Sequence, residues 1–145
     1  MYLKNFKTIV IKIGSSLLIN DKKTIRKKWL SEFAKDIKDL LNDKKKVIIV
    51  SSGSIALGCK KLNLNKKKLK LDKSQAVASI GQIELMNLYQ NVCKKLKIKI
   101  SQILLTLDDT EQRRRSINAR RTIDNLLTMG ICQLLMKTTL LLQLK

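Results

Sequence analysis

The sequence predicts an α/β fold in which a mostly parallel sheet is sandwiched between helices. Two hydrophobic runs, which begin at Thr8 and Val47, are rich in β-branched residues and long enough for fully buried parallel strands. Between and after them, apolar residues recur every three or four positions, which is the spacing of amphipathic helices. Strands that alternate with helices in this way are typical of parallel sheets with right-handed crossovers and helices on both faces.

The first half of the chain predicts two strands, each followed by a helix. The helix over residues 24–41 carries one apolar stripe, formed by Ile25, Trp29, Phe33 and Ile37. After the second strand, the segment from Ser52 to Ser54 can cap the helix that Ile55 begins, and Gly58 ends or kinks this short helix. The lysine-rich residues 60–73 then form an exposed connector.

The second half predicts a long helix, a third strand and a further helix. These cover residues 75–96, 98–106 and 109–129, and Gly130 follows where a C′ glycine belongs. The long helix is apolar on two sides, which indicates that it is buried or forms an interface. One stripe comprises Val77, Ile80, Glu84, Leu88 and Val92, and the second comprises Ala76, Ile83 and Met86.

The composition is that of one small domain with an excess of positive charge. The chain has 145 residues, and its 31 lysines and arginines against 11 aspartates and glutamates give a net charge of +20. This charge can indicate a nucleic-acid binder, or it can be the lysine, isoleucine and asparagine bias that an AT-rich genome imposes on solvated surface. Aromatic residues make up only 3%, which leaves little to stack on bases. The second interpretation is therefore favoured, and no specific nucleic acid is expected as a partner.

Three features predict a cytoplasmic protein. No run of about 18 apolar residues is present to span a membrane. Residues 1–7 lack the apolar core of a signal peptide. Cys59, Cys93 and Cys132 lie far apart in a chain without histidine, which fits reduced thiols rather than a disulfide framework or a zinc site. No metal-ligand set is therefore expected.

Both hydrophobic runs end in loops of small residues that suit an anion. The first run leads into Gly14 and Ser15, and the second leads into Ser52 and Gly53. Glycine lacks the Cβ atom that would keep a ligand away from the backbone N–H groups. Lys12 precedes the first glycine by two residues and adds a cation that can meet phosphate. Two such loops, about one β-α-β unit apart, predict a split phosphate and substrate site at the strand ends.

Four segments carry a resemblance to a known family. They are residues 10–16, 50–58, 75–86 and 102–106, the last followed by Asn118, Ala119 and Arg120. On these segments the chain resembles the N-terminal part of the glutamate 5-kinases, which belong to the amino acid kinase family, from about residue 7 to residue 131. The first segment is common to the superfamily, whereas residues 75–82 and 104–106 are more specific to this branch. The resemblance implies an amino acid kinase or carbamate kinase-like fold, of which this chain would hold an incomplete part.

The activity that the resemblance implies is ATP-dependent phosphorylation of the γ-carboxylate of L-glutamate. The product would be glutamyl 5-phosphate, in the first step of L-proline biosynthesis. ATP would be the co-substrate and Mg²⁺ the cofactor, and the full-length family implies a homo-oligomer without a membrane partner. Another carboxylate or carbamate kinase of the same superfamily is the alternative, which residues 75–82 disfavour.

The same resemblance implies roles for five residues at the two loops. Lys12 would be catalytic, lying against the transferring phosphoryl oxygens of ATP. The backbone amides of Gly14, Ser15 and Gly53 would bind the phosphates, and Ser52 matches the position that holds glutamate. Two plainer interpretations stay open: Lys12 can be a surface lysine at a strand end, and Ser52 can be a helix N-cap.

Other polar residues are expected to lie outside the catalytic site. Asn118 and Arg120 match family positions that are structural or at a subunit contact. The run Arg113-Arg114-Arg115 is expected on a solvated helix face, although it could grip phosphate. The acidic residues Asp108, Asp109 and Glu111 precede a helix, where carboxylates favour the dipole, rather than form a metal cluster.

The chain departs from the family pattern at Cys132. The family continues there with a buried strand of the type Val-Pro-Ile-Ile-Asn, but this chain continues with a leucine-rich segment. A back-translation of residues 132–136, read two bases later, encodes Pro-Ile-Ile-Asn. We therefore expect residues 1–131 to be part of an amino acid kinase domain and residues 132–145 to be a non-family tail read out of frame. Leucines of such a tail would form an exposed apolar patch unless they reach the sheet edge.

Overall fold

A computed structural model describes residues 2–20, 24–65, 68–105 and 111–137. A 3-10 turn over Tyr2–Asn5 leads into the first strand. The strands are β1 (Thr8–Ile13), β2 (Lys46–Ser51), β3 (Ile100–Leu105) and β4 (Cys132–Lys137). The helices are α1 (Ser15–Leu18), α2 (Lys27–Asn42), α3 (Ser54–Lys61), α4 (Leu71–Lys95) and α5, which corresponds to Arg113–Thr128. None of the described helices is long and apolar enough to cross a membrane.

The four described strands form one parallel sheet in the order β1-β2-β4-β3. Lys12 pairs with Val50 and Ile13 pairs with Ser51, so β1 and β2 end level with each other. The loops that follow these two strands therefore start side by side at the carboxyl edge of the sheet. The prediction of a parallel sheet is confirmed.

Helices cover both faces of the sheet, as the sequence predicts. On one face, Ile49 of β2 and Leu134 of β4 are paired neighbours, and both lie in the main core with Leu30 of α2 and Leu85 of α4. On the other face, α5 packs against β4 and β2. There the Gln133 Nε2 atom of β4 donates a hydrogen bond to the Ile123 carbonyl oxygen of α5, at 2.7 Å.

Strand β4 is an element that the sequence analysis did not predict. Its first residues are the start of the leucine-rich tail, and Cys132, Leu134 and Met136 are buried. They lie between β2 and β3 rather than at a sheet edge. In this central position the strands on both sides satisfy the backbone hydrogen-bonding groups of β4. The leucines at positions 140–142 and 144 lie outside the described residues. The out-of-frame origin of the tail, and the boundary after residue 131, stay predictions.

Helix α3 continues through Gly58, so of the two roles predicted for this glycine, ending or kinking the helix, the first was wrong. A Cβ atom at Gly58 would overlap the Val77 carbonyl oxygen of α4. The glycine therefore serves the close approach of two helices rather than a helix end. Farther along, Lys61 of α3 and Glu84 of α4 form an ion pair of 3.1 Å. Gly130 does follow α5 with a φ of +71°, which confirms the predicted C′ glycine.

The buried face of α4 differs from both predicted stripes. Ile83, in the second predicted stripe, is 64% exposed, and Glu84 and Leu88 are only half-buried. The helix also begins at Leu71, so the connector after α3 is shorter than predicted. The closest packing of α4 against α3 is made through small residues, which a stripe of large apolar side chains does not include. The residues buried on α4 are Val77, Ala78, Gly81, Leu85, Tyr89 and Cys93.

Candidate phosphate-loop site

The predicted loops at the ends of β1 and β2 contact each other. The Ser52 backbone N–H donates to the Ile13 carbonyl oxygen at 3.0 Å, and the Ser52 hydroxyl donates to the same oxygen at 3.2 Å. A Cβ atom built on Gly53 would lie 3.5 Å from the Cβ atom of Ser15. We call residues 14–15 and 52–53 the loop pair. The structure thus brings four of the five predicted site residues together at one edge of the sheet.

Gly53 is the residue whose backbone requires glycine. Its φ is +126°, a conformation that L side chains rarely adopt, and it occupies the N-cap position of α3. The interpretation of Ser52 as a helix N-cap was therefore wrong, because the cap lies one residue later. The Ser52 hydroxyl instead binds back to β1, and its exposed side chain stands at the surface of the loop pair.

Gly14 leaves open space in front of the first loop. Its φ of −76° is available to any residue, so the turn itself does not require glycine. A Cβ atom there would meet only the Ser16 Oγ atom, at 3.9 Å. The loop can therefore receive a ligand atom close to its backbone.

Lys12, the fifth predicted site residue, is exposed on β1, the outermost described strand on its side of the sheet. Side chains alternate along a strand, so Lys12 and Val10 share the face opposite to the buried Ile13. Val10 is 62% exposed on that face. The ammonium group of Lys12 is thus accessible to a ligand from solvent, two residues before the first loop.

Sequence reasoning missed a buried hydroxyl pair directly behind the second loop. The Ser51 Oγ and Tyr89 Oη atoms lie 3.0 Å apart, and the two residues are 3% and 1% exposed. Burial raises the pKa of Tyr89 to about 12, while its hydrogen bond with Ser51 acts in the opposite direction. The phenol is therefore neutral at physiological pH. Strand alternation after Val47 and Ile49 places Ser51 on the core face, which was the available indication of a buried partner.

The remaining polar candidates lie away from the loop pair or outside the description. Asn118 and Arg120 are exposed on α5. Arg120 lines a cavity of about 430 Å³ together with Lys46 and Thr8, the first residues of β2 and β1, at the ends of these strands farthest from the loop pair. Arg113, Arg114 and Arg115 are exposed at the start of α5, and Glu111 is exposed before it. Asp108 and Asp109 lie outside the described residues. Within the described ranges, no group of three or more Cys, Asp or Glu residues could hold a metal ion.

Comparison with known proteins gives a consistent set of relatives. Residues 7–136 match the Amino acid kinase family. The chain is 73% identical over 130 residues to the glutamate 5-kinase of Pelagibacter ubique, which covers 90% of this chain and 35% of that protein. It is 52% identical over 128 residues to the glutamate 5-kinase of Nitrobacter hamburgensis, covering 88% and 34%. For the glutamate 5-kinase of Brucella abortus the identity is 49% over 127 residues, with the same coverage. The chain thus spans about a third of the length of the curated relatives it matches.

Proposed function

Because the chain belongs to the amino acid kinase family, we propose that it holds the phosphoryl-transfer loops of a glutamate 5-kinase. The whole protein would transfer the γ-phosphoryl group of ATP to the γ-carboxylate of L-glutamate, forming glutamyl 5-phosphate for L-proline biosynthesis. The single observation that carries this proposal is the contact between the two loops at the carboxyl ends of β1 and β2. The relatives, which are named glutamate 5-kinases, support glutamate over another carboxylate or carbamate as the substrate.

In this proposal the loop pair holds the transferring phosphoryl group. A γ-carboxylate oxygen attacks the γ-phosphorus of ATP, and the bond to the leaving ADP oxygen breaks. This chemistry depends on positioning and on neutralising charge more than on covalent catalysis. The backbone N–H groups of Gly14, Ser15 and Gly53 would donate hydrogen bonds to phosphoryl oxygens. The exposed Lys12 ammonium would neutralise the negative charge.

Ser52 would bind the glutamate substrate in the same site. Its hydroxyl now donates to the Ile13 carbonyl oxygen at 3.2 Å, a long hydrogen bond for a hydroxyl donor. Rotation of the side chain would free this donor for a substrate carboxylate, which is a stronger acceptor than a carbonyl oxygen. The backbone N–H of Ser52 would keep its own bond to Ile13, so the loop would stay in place.

The proposal extends to the cofactor, the partners and the location. The described residues contain no cluster of carboxylates for the Mg²⁺ ion that the resemblance implies, so none of them is assigned to it. Homo-oligomer formation is proposed through the exposed apolar surface of α4, where Ile83 is 64% exposed. A cytoplasmic location is proposed because Cys59, Cys93 and Cys132 are free thiols.

The test compares the 145-residue chain with a chimera. The chimera joins residues 1–131 to the remainder of the Pelagibacter ubique glutamate 5-kinase, with which this region shares high identity. We expect the chimera to phosphorylate glutamate with ATP and Mg²⁺, and the 145-residue chain to show no activity. Binding energy from the rest of the protein orients the reacting oxygens, so its loss lowers kcat as well as affinity.

Two results would contradict these expectations. Activity of the 145-residue chain on glutamate would show that the loop pair does not need the rest of the relatives' length. A chimera that prefers aspartate or carbamate to glutamate would point to another kinase of the superfamily. The origin of the tail is tested separately, by sequencing the gene across codons 128–146 for the two-base frame change.

A further inference from the structure

The buried hydroxyl pair of Ser51 and Tyr89 connects the core of the protein to the second loop. Ser51 is the last residue of β2, and Ser52 and Gly53 follow it directly. We propose that Tyr89 is a positioning residue, which fixes residues 52–53 through its hydrogen bond to Ser51. This inference rests on the proposed function, because it assigns Tyr89 a part in placing the phosphate-binding amides.

Helix α4 holds the second loop at both of its ends. Before the loop, the Tyr89 hydroxyl lies 3.0 Å from the Ser51 hydroxyl. After the loop, Gly81 lies against the Ser54 carbonyl oxygen so closely that a Cβ atom would overlap it. Between these two contacts, the Ser52 N–H donates to the Ile13 carbonyl oxygen. The orientation of the Gly53 amide therefore depends on where α4 places the end of β2.

A purely structural role for the pair predicts a different outcome. A buried hydroxyl needs a partner wherever it lies, and such a pair could serve only the stability of the whole fold. Loss of the bond would then speed hydrogen exchange at all core amides by the same factor. A positioning role instead predicts local opening at residues 52–53 and weaker anion binding there.

The experiment uses the 145-residue chain labelled with ¹⁵N, and compares four forms. These are the unchanged chain, Tyr89→Phe, Ser51→Ala and the control Ser101→Ala. Ser101 is a matched control because its hydroxyl is also buried but has no hydrogen-bond partner among the described residues. Amide hydrogen exchange is followed at Ser52, and at the amides of α4 and β3. Inorganic phosphate is then titrated while the Gly53 amide resonance is observed.

We expect Tyr89→Phe and Ser51→Ala to speed exchange at Ser52 by about tenfold, the factor that corresponds to losing one hydrogen bond. The amides of α4 and β3 should change much less. The phosphate Kd at Gly53 should rise by about threefold to tenfold in both variants, and stay unchanged in Ser101→Ala.

Three results would overturn the role of Tyr89. They are an unchanged Ser52 exchange rate, a rise shared equally by α4 and β3, and a phosphate Kd that is the same in all four forms. Failure of the proposed function gives a separate result: phosphate would leave the Gly53 resonance of the unchanged chain unshifted. The exchange comparison still decides whether Tyr89 fixes the loop in that case.

Discussion

Gly81 of α4 lies directly against the carbonyl oxygen of Ser54, the first residue of α3. A Cβ atom at Gly81 would overlap this oxygen and would also approach the Gly58 backbone nitrogen to 2.7 Å. The two helices therefore meet with only backbone atoms between them. Because α3 begins directly after Gly53, this crossing also fixes the direction in which the chain leaves the second loop.

Gly81→Ala should destabilise the fold by several kcal/mol. The added methyl group forces α3 away from α4, and overpacking of a close contact costs about 1–3 kcal/mol or more. Urea unfolding of the 145-residue chain measures the loss. Gly14→Ala is the matched control, since Gly14 has an ordinary φ and open space, and its stability should be nearly unchanged. Equal stability of both variants would mean that the helices can separate without cost.

Lys12→Ala in the active chimera should lower kcat by at least about a hundredfold, because a positioned cation on the transferring group contributes several kcal/mol. Steady-state kinetics at saturating ATP and glutamate measures this. Lys7→Ala is the control, since Lys7 is an exposed lysine that directly precedes Thr8, the first residue of β1, whereas Lys12 lies near the end of the strand that leads into the loop pair. Near-normal turnover of the Lys12 variant would mean that Lys12 does not contact the transferring group and is a surface lysine at a strand end.

Ser52→Ala should raise the KM for glutamate more than the KM for ATP. The lost hydrogen bond to a charged group is worth about 1.5–3 kcal/mol, or roughly tenfold to a hundredfold in affinity. The neighbouring Ser54→Ala serves as the control in the same chimera, since Ser54 is not assigned to the substrate. If both KM values rise equally, Ser52 supports the loop through Ile13 and does not bind glutamate.

Gln133→Ile should stabilise the 145-residue chain by about 1 kcal/mol. Gln133 is 0% exposed, and its Oε1 atom has no hydrogen-bond partner among the described residues. An unsatisfied buried oxygen costs about 1–3 kcal/mol, which exceeds the net value of the bond from Nε2 to Ile123. The control Gln102→Ile, on an exposed part of β3, should change little, and a less stable Gln133 variant would contradict the argument.

Stability should fall as the pH rises above about 9. Burial raises the pKa of Cys93 to about 11 and that of Cys132 to about 12, from 9.0 in each case. The unfolded chain releases these protons first, so each group lowers the unfolding free energy by about 1.4 kcal/mol per pH unit between its two pKa values. Tyr89 adds the same effect between 10.0 and about 12. Urea unfolding between pH 8 and pH 11 tests this.

The matched comparison for the alkaline effect is Cys132→Ala. Contributions from groups that do not interact with Cys132 cancel when the two pH profiles are subtracted. The unfolding free energy of the unchanged chain should exceed that of Cys132→Ala by less and less from pH 9 upward. Only the unchanged chain has the Cys132 thiol, which ionises on unfolding in this pH range. A difference that stays constant with pH would show that Cys132 is not buried as a neutral thiol.

The sequence predicted the elements whose pattern is local, and missed the relationships between distant residues. The runs at Thr8 and Val47 are β1 and β2, since a β-branched run followed by glycine is readable within a few residues. The bond between Ser51 and Tyr89 joins residues 38 positions apart, and no periodicity records it. The buried stripe of α4 was misplaced because glycine and alanine make its closest contacts.

The candidate site shows the same division. Its loops were predicted because glycine and serine after a strand have a local meaning, and the structure brings them into contact. The predicted capping segment, Ser52 to Ser54, contains the observed N-cap, but the interpretation of Ser52 itself as the cap was one residue too early, because the positive φ of Gly53 is a property of the folded turn. Strand β4 was missed because the leucine-rich residues resemble a tail until β2 and β3 are present on either side. The roles of Lys12 and Ser52 remain predictions.

The strand order has a consequence for how the chain folds as it leaves the ribosome. Strand β4 is the last described strand to be synthesised, yet it lies between β2 and β3. The nascent chain can pair β1 with β2 early, but β3 has no partner among the described strands until residue 137 has emerged. Backbone groups of β3 stay unpaired during this interval, and such edges attract other chains. Completion of the sheet is therefore a late, non-local event, which is also the slowest kind of contact to form.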